Sequence, residues 1–115
     1  MRKIGYIYEE KAMVYLQELG YKILGRNIYI NHREVDILCE KDDTTILVEV
    51  KYRHKLCNWD FFPHLTKKQK QNLMEAAQLL VSNPIYHLRP LWQIDFLYFS
   101  KTHIKHFTNI LRDIM

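Results

Sequence analysis

Apolar side chains recur at helical spacing from residue 3 to 19. Ile4, Tyr8, Ala12, Tyr15, Leu16 and Leu19 make one stripe, and Gly20 stands just past its end as a stop. Glu9 and Glu10 are neighbours in the chain but diverge around this first predicted helix. At about 100° per residue, Glu9 borders the stripe beside Leu16, while Glu10 falls on the opposite, solvated side. Three strand-like runs follow: Tyr21 to Ile30, Glu34 to Glu40 after Asn31-His32-Arg33, and Thr44 to Tyr52 after Lys41-Asp42-Asp43. Their short connections favour antiparallel pairing. Residues 54–65 read as a loop. Thr66 then has the features of an N-cap, with Gln69 completing a capping box, for a helix running to about Val81 and closed by Asn83-Pro84. Trp92 to Phe99 is a fourth strand. Ile104, Phe107, Ile110 and Leu111 share one helical face, which predicts a final helix from His103 to Met115. The order αβββαβα predicts an α/β domain, a mixed sheet flanked by helices.

Alternation places the chemistry on this frame. Glu34, Asp36 and Leu38 share one strand face. Leu47, Glu49, Lys51 and Arg53 share a face of the next strand, with Ile46, Val48, Val50 and Tyr52 on the other. Asp36, Glu49 and Lys51 interrupt otherwise apolar strands, where ionised groups are expensive unless paired or bound to a metal. In a hairpin both carboxylates can converge on one ion, with Lys51 beside it. Mg2+ or Mn2+ takes oxygen ligands, commonly one or two carboxylates plus phosphate and water. Such a site suits phosphodiester hydrolysis: the metal stabilises phosphoryl charge and generates hydroxide, and the lysine orients water or stabilises the transition state. The carbonyl of Val50 is a further candidate ligand, and Glu9 can reach the site from the first helix through a water or a second metal. The alternative for the same residues is a structural salt-bridge cluster.

Composition adjusts this picture modestly. A length of 115 residues fits one domain, 1–115, with one core. The net charge of +4 is compatible with a polyanionic partner. Cys39 and Cys57 form no CxxC pair or disulfide framework, and Cys39 reads as a buried thiol. No signal peptide or apolar run of membrane length is visible, so a cytoplasmic protein with no membrane partner is expected.

Secondary features admit two readings each. Lys67, Lys68 and Lys70 crowd a helix start, where backbone N–H groups and lysines together can hold phosphate; with Arg53 they are the candidate nucleic-acid contacts, the alternative being a solvated basic face. Trp59, Phe61 and Phe62 suit packing or a dimer contact more than base stacking. His103 and His106 read as surface histidines rather than a zinc pair, lacking a third ligand.

The residues Gly5-Tyr-Ile-Tyr-Glu9-Glu-Lys-Ala12, Leu16, Gly20-Tyr21, Asn27, Glu34-Val35-Asp36 and Val48-Glu49-Val50-Lys51-Tyr52-Arg53 resemble the YraN-like family of small bacterial proteins across nearly the whole chain. The resemblance implies a restriction-endonuclease-like, three-layer α/β/α fold akin to archaeal Holliday-junction resolvases. It implies that Glu9, Asp36, Glu49 and Lys51 are the nuclease-motif positions, and that Asp95 is the aspartate of the last strand. Tyr8, Arg33 and Gln93 depart from the family pattern, which usually has glycine, glycine and often arginine there. Related nuclease folds often pair, so a homodimer is compatible. Two functions are therefore carried forward: a metal-dependent endonuclease acting on DNA, including branched or single-stranded forms, and a non-catalytic nucleic-acid-binding or assembly module that keeps the fold.

Overall fold

The computed structural model describes residues 3–52 and 65–111. Helix α1 spans Lys3–Glu18. Its stripe turns toward the sheet: Ala12 and Leu16 are fully buried, and Tyr8 and Tyr15 pack against the same cluster. Gly20, at φ +91°, takes the left-handed conformation that ends the helix, and the Tyr21 N–H reaches back 2.9 Å to the Leu16 carbonyl.

Strands β1 (Lys22–Ile30), β2 (Arg33–Lys41) and β3 (Thr44–Tyr52) form an antiparallel meander. Asn31-His32 and Asp42-Asp43 make its two turns, all four residues lying at φ between 53° and 62°. That is the two-residue hairpin geometry whose twist matches the strands, and Asn and Asp tolerate it best. Helix α2 (Lys67–Ser82) begins with the expected capping box: the Gln69 N–H donates to Thr66 Oγ1 (3.1 Å) and the Thr66 N–H to Gln69 Oε1 (2.9 Å). Strand β4 (Trp92–Phe99) then pairs with β3 in parallel, from Thr45 opposite Trp92 to Tyr52 opposite Phe99.

The last element corrects the expectation. Residues Ile104–Phe107 form strand β5, antiparallel to β4, and residues 108–111 form a turn, not a final helix. The cause is the outer edge of β4. That strand is buried along Ile94–Phe99, and its free N–H and C=O groups require partners, which β5 supplies. The helical spacing of Ile104, Phe107, Ile110 and Leu111 is shared between a strand and a turn, with Ile110 and Leu111 folding back into the core. His103 and His106 consequently share no helix face.

The sheet order is β1-β2-β3-β4-β5, a mixed sheet with a helix on each face. On one side Ala12 and Leu16 of α1 cover Ile37, Cys39, Ile46, Val48, Leu97 and Phe99. On the other, Leu73, Ala77 and Leu80 of α2 cover Leu38, Leu47, Ile94 and Phe96. This three-layer α/β/α arrangement fits a restriction-endonuclease-like domain. No described helix is long and apolar enough to cross a membrane.

One buried polar cluster ties the layers together at the far side of the sheet. Asp95, fully buried, accepts hydrogen bonds from His106 Nε2 (2.8 Å), the Asn109 N–H (2.9 Å) and Gln93 Nε2 (2.9 Å). With the proton on Nε2, His106 Nδ1 accepts from the Tyr15 hydroxyl of α1 at 3.2 Å. Removing the acceptor leaves three part-buried donors unmatched and a cavity where Asp95 stood, so Asp95→Ala should destabilise the fold by about 3 kcal/mol. Removing the α2 cap with Thr66→Ala should cost only about 1 kcal/mol. Urea denaturation of both variants checks the ranking; an Asp95→Ala loss no larger than that of Thr66→Ala would contradict it.

Candidate active site

The β2–β3 ladder runs from Lys41 opposite Thr44 to Ile37 opposite Val48 and stops there. Beyond it the Asp36 side chain takes over, its Oδ2 accepting the Val50 N–H at 2.8 Å. A carboxylate thus replaces a backbone acceptor at the point where the strands part. In an extended strand the N–H and C=O of one residue point to the same side. The carbonyl of Val50 therefore also faces this gap.

Strict alternation fails at the same point. Ile37 packs on the α1 side, whereas Val35, two residues earlier, packs on the α2 side. The switch falls at Asp36, which the β1–β2 register sets opposite Asn27, a residue at φ 53°. The expected single face for Glu34, Asp36 and Leu38 is therefore replaced by a twist, and Asp36 sits between the two sides of the sheet. Charges from both sides act on it: Glu9 and Glu34 repel it, and Lys51 attracts it.

Glu49 is the most confined of these groups, 5% exposed. Burial, and then the neighbouring Asp36 carboxyl, push its pKa up to about 7, against the opposing pull of Arg33 and Lys51. Asp36 is raised for the same leading reason, burial, offset in part by its hydrogen bond from Val50. Two carboxyls that each resist ionisation beside the other are the arrangement a bound cation relieves. Glu49 Oε1 accepts from Arg33 Nη2 at 3.1 Å, while its Oε2 is buried with no hydrogen-bond partner among the described residues. That unmatched oxygen, Asp36 and the Val50 carbonyl are the oxygens here that could hold a hard divalent cation. Among the described residues no three carboxylate, imidazole or thiol groups converge into a ready-made cage. A cation here would complete its shell with water and phosphate.

Glu9 is buried, as its place beside the stripe implied, and is near enough to Asp36 to act on it electrostatically. Its Oε1 lies 3.3 Å from Arg26 Nη2. In the amide orientation that satisfies its neighbours, Asn27 donates to both Glu9 Oε1 (3.1 Å) and Glu34 Oε2 (2.9 Å). Arg26 also pairs with Glu10, whose pKa that hydrogen bond lowers, and stacks over Tyr6 at 4.6 Å. Glu9 is thus held in place rather than free to swing.

Glu49 and Lys51 open into a cleft of about 660 Å³, walled by Asn31, His32, Arg33 and Glu34 on one side and by Lys68, Asn72 and Glu75 of α2 on the other. A hydrogen bond from Asn31 Nδ2 to Glu75 Oε1 (3.2 Å) ties the walls together. Of the three lysines at the α2 start, Lys68 lines this cleft; Lys67 is exposed and Lys70 half-buried outside it. Arg53 lies outside the described residues, as do Cys57, Trp59, Phe61 and Phe62. Asp95 belongs to the buried cluster with His106 and takes no part in the cleft. Sequence reasoning missed Arg26, Asn27 and Arg33 as members of the site. The available signal was Asn31-His32 after a strand, a pair suited to a two-residue turn that points the next residue, Arg33, back along β2 toward Glu49.

The sequence pattern of the uncharacterised protein family UPF0102 matches residues 8–99. A UPF0102 protein of Carboxydothermus hydrogenoformans is 30% identical over 115 residues, covering 99% of this chain and 96% of its own. One from Syntrophomonas wolfei is 39% identical over 82 residues, 71% of each chain. One from Vibrio campbellii is 30% identical over 95 residues, 83% of this chain and 75% of its own. The matched span runs from α1 to the end of β4 and includes Glu9, Asp36, Glu49 and Lys51, so the chain belongs to the UPF0102 family, the group to which its YraN-like resemblance pointed.

Proposed function

We propose that this protein is a divalent-metal-dependent endonuclease acting on DNA, including branched or single-stranded forms. The observation that carries the reading is the unmatched, buried Oε2 of Glu49, a residue that lines the cleft with Lys51 and Lys68 and feels the charge of Asp36 from outside that lining. Asp36, Glu49 and the Val50 carbonyl would hold Mg2+ or Mn2+, with Glu9 contributing through water. Such an ion supplies charge neutralisation at the phosphoryl oxygens and lowers the pKa of water. The chain's own groups do the rest. Lys51, exposed at the end of β3, orients the attacking water or stabilises charge on the phosphate. Lys68 offers a phosphate contact at the mouth of the cleft, and Lys67 and Lys70 at the same helix start are further candidate contacts to the nucleic-acid backbone.

The expected result is metal-dependent cleavage of at least one substrate among duplex, single-stranded, flap and four-way-junction DNA. Asp36→Ala, Glu49→Ala and Lys51→Ala should each reduce it by about a hundredfold or more. No cleavage of any substrate, or equal cleavage by Asp36→Ala, rules the nuclease out.

One observation favours a second reading, a non-catalytic nucleic-acid-binding module: Arg33 already gives Glu49 a cationic partner. Under that reading, DNA binding survives in Asp36→Ala and Glu49→Ala, and Mn2+ binding measured by calorimetry is the same as in wild type.

The position of Glu49 also fixes a pH dependence. Its folded-state pKa is pushed up to about 7, above the usual 4.5, so below that pH the metal-free fold prefers the protonated carboxyl and above it the carboxylate that pairs with Arg33. That contribution to stability is complete below about pH 4.5 and disappears as pH rises through 7. Metal binding requires the ionised form, so Mn2+ affinity should climb by up to about tenfold per pH unit below 7 and level off above it. Calorimetric titrations across that range check this, as does urea denaturation of wild type against Glu49→Gln without metal. A flat affinity profile would contradict the assignment.

A further inference from the structure

Arg33 is the first residue of β2, directly after the Asn31-His32 turn. It meets Glu49 through a single contact, Nη2 to Oε1 at 3.1 Å. An arginine–carboxylate pair can form two parallel N–H···O bonds. Here the second is not made: Arg33 Nε and Glu49 Oε2 are both buried without a hydrogen-bond partner among the described residues. The two unmatched atoms have opposite needs. Arg33 Nε is a charged donor that calls for an anion, and Glu49 Oε2 is a carboxylate oxygen that calls for a cation. Both residues line the cleft that holds Lys51 and Lys68. Their exposures differ as well: the Arg33 side chain is 26% exposed and that of Glu49 is 6% exposed.

We propose that Arg33 is a positioning residue that exchanges Glu49 for a substrate phosphate, so that metal and nucleic acid load the site together. This rests on the metal-site reading above. Without metal, the guanidinium serves Glu49 as a resident cation. When a divalent cation takes the carboxylate, Arg33 turns to a phosphodiester in the cleft, where its planar fork matches two phosphate oxygens. A cation bound at the unmatched Oε2 neutralises the carboxylate that Arg33 answers and so releases Arg33 to phosphate, and a phosphate that draws Arg33 away leaves both Glu49 oxygens to the cation. Each ligand therefore strengthens binding of the other by the same factor.

The test measures Mn2+ binding to the full chain by electron paramagnetic resonance, with and without a short DNA duplex. It compares wild type with Arg33→Met, which keeps the aliphatic stem and removes the charge, with Arg33→Lys, and with Glu49→Gln. Arg33→Met should bind Mn2+ alone about tenfold tighter than wild type, having lost the competing charge-assisted bond. DNA should tighten Mn2+ binding in wild type, and this enhancement should fall toward one in Arg33→Met and be reduced in Arg33→Lys. Unchanged Mn2+ affinity and unchanged enhancement in both arginine variants, with binding abolished by Glu49→Gln, would overturn the role of Arg33 while leaving the metal site standing. Undiminished Mn2+ binding by Glu49→Gln would remove the metal-site reading itself, and this proposal with it. Should Arg33→Met fail to fold, the Arg33→Lys comparison decides: an enhancement equal to wild type overturns the exchange.

Discussion

The hydrogen bond from the Val50 N–H to the Asp36 carboxylate governs the rest of the site. If the β2–β3 ladder continued past Ile37 and Val48, main-chain groups would satisfy one another and the strands would close. Because a side chain supplies the acceptor, the strands separate, the Val50 carbonyl is turned into the gap, and Asp36 and Glu49 become fixed neighbours. Burying two acidic groups in this way opposes folding. The apolar layers on both faces of β3, with Leu47 on one side and Ile46 and Val48 on the other, offset that cost and hold the arrangement.

The acids around the gap come with counter-charges of their own. Arg26 holds Glu9 and Glu10, Arg33 holds Glu49, and Asn27 bridges Glu9 to Glu34. Two arginines and an amide thus let a carboxylate-rich cleft fold before any ligand enters. They also divide the acids by function: Glu9 is braced from the helix side, while Glu49 keeps one oxygen unmatched.

Much of this was legible in the sequence where local rules act alone. The capping box at Thr66 and Gln69 and the alternation of β3 depend on neighbouring residues and formed as read; the two connections fell where expected but are one residue tighter, because Arg33 and Lys41 join β2. The placement of Glu9 beside the helix stripe is equally local. What escaped depends on distant partners. Residues 104–107 satisfy a helical spacing, yet β4 needed an edge partner, and that need lies in the fold rather than in the segment. The reversal of faces at Asp36 follows from Asn27, nine residues earlier, opposite it in the register. Arg33 stands where the resemblance expects glycine, and its partner Glu49 lies 16 residues away on β3, a distance that no local rule spans.

The two edges of the sheet bear on how copies of this protein can meet. Strand β1 carries a register shift between Ile23 and Gly25 and a left-handed residue at Asn27, so its outer row of main-chain groups is kinked twice within nine residues. Strand β5 is only four residues long. Neither margin presents the long, straight hydrogen-bonding row that templates strand addition. Among the described residues, then, neither margin favours continuing the sheet into a second copy, and any contact made along these edges falls to side chains rather than to main-chain pairing.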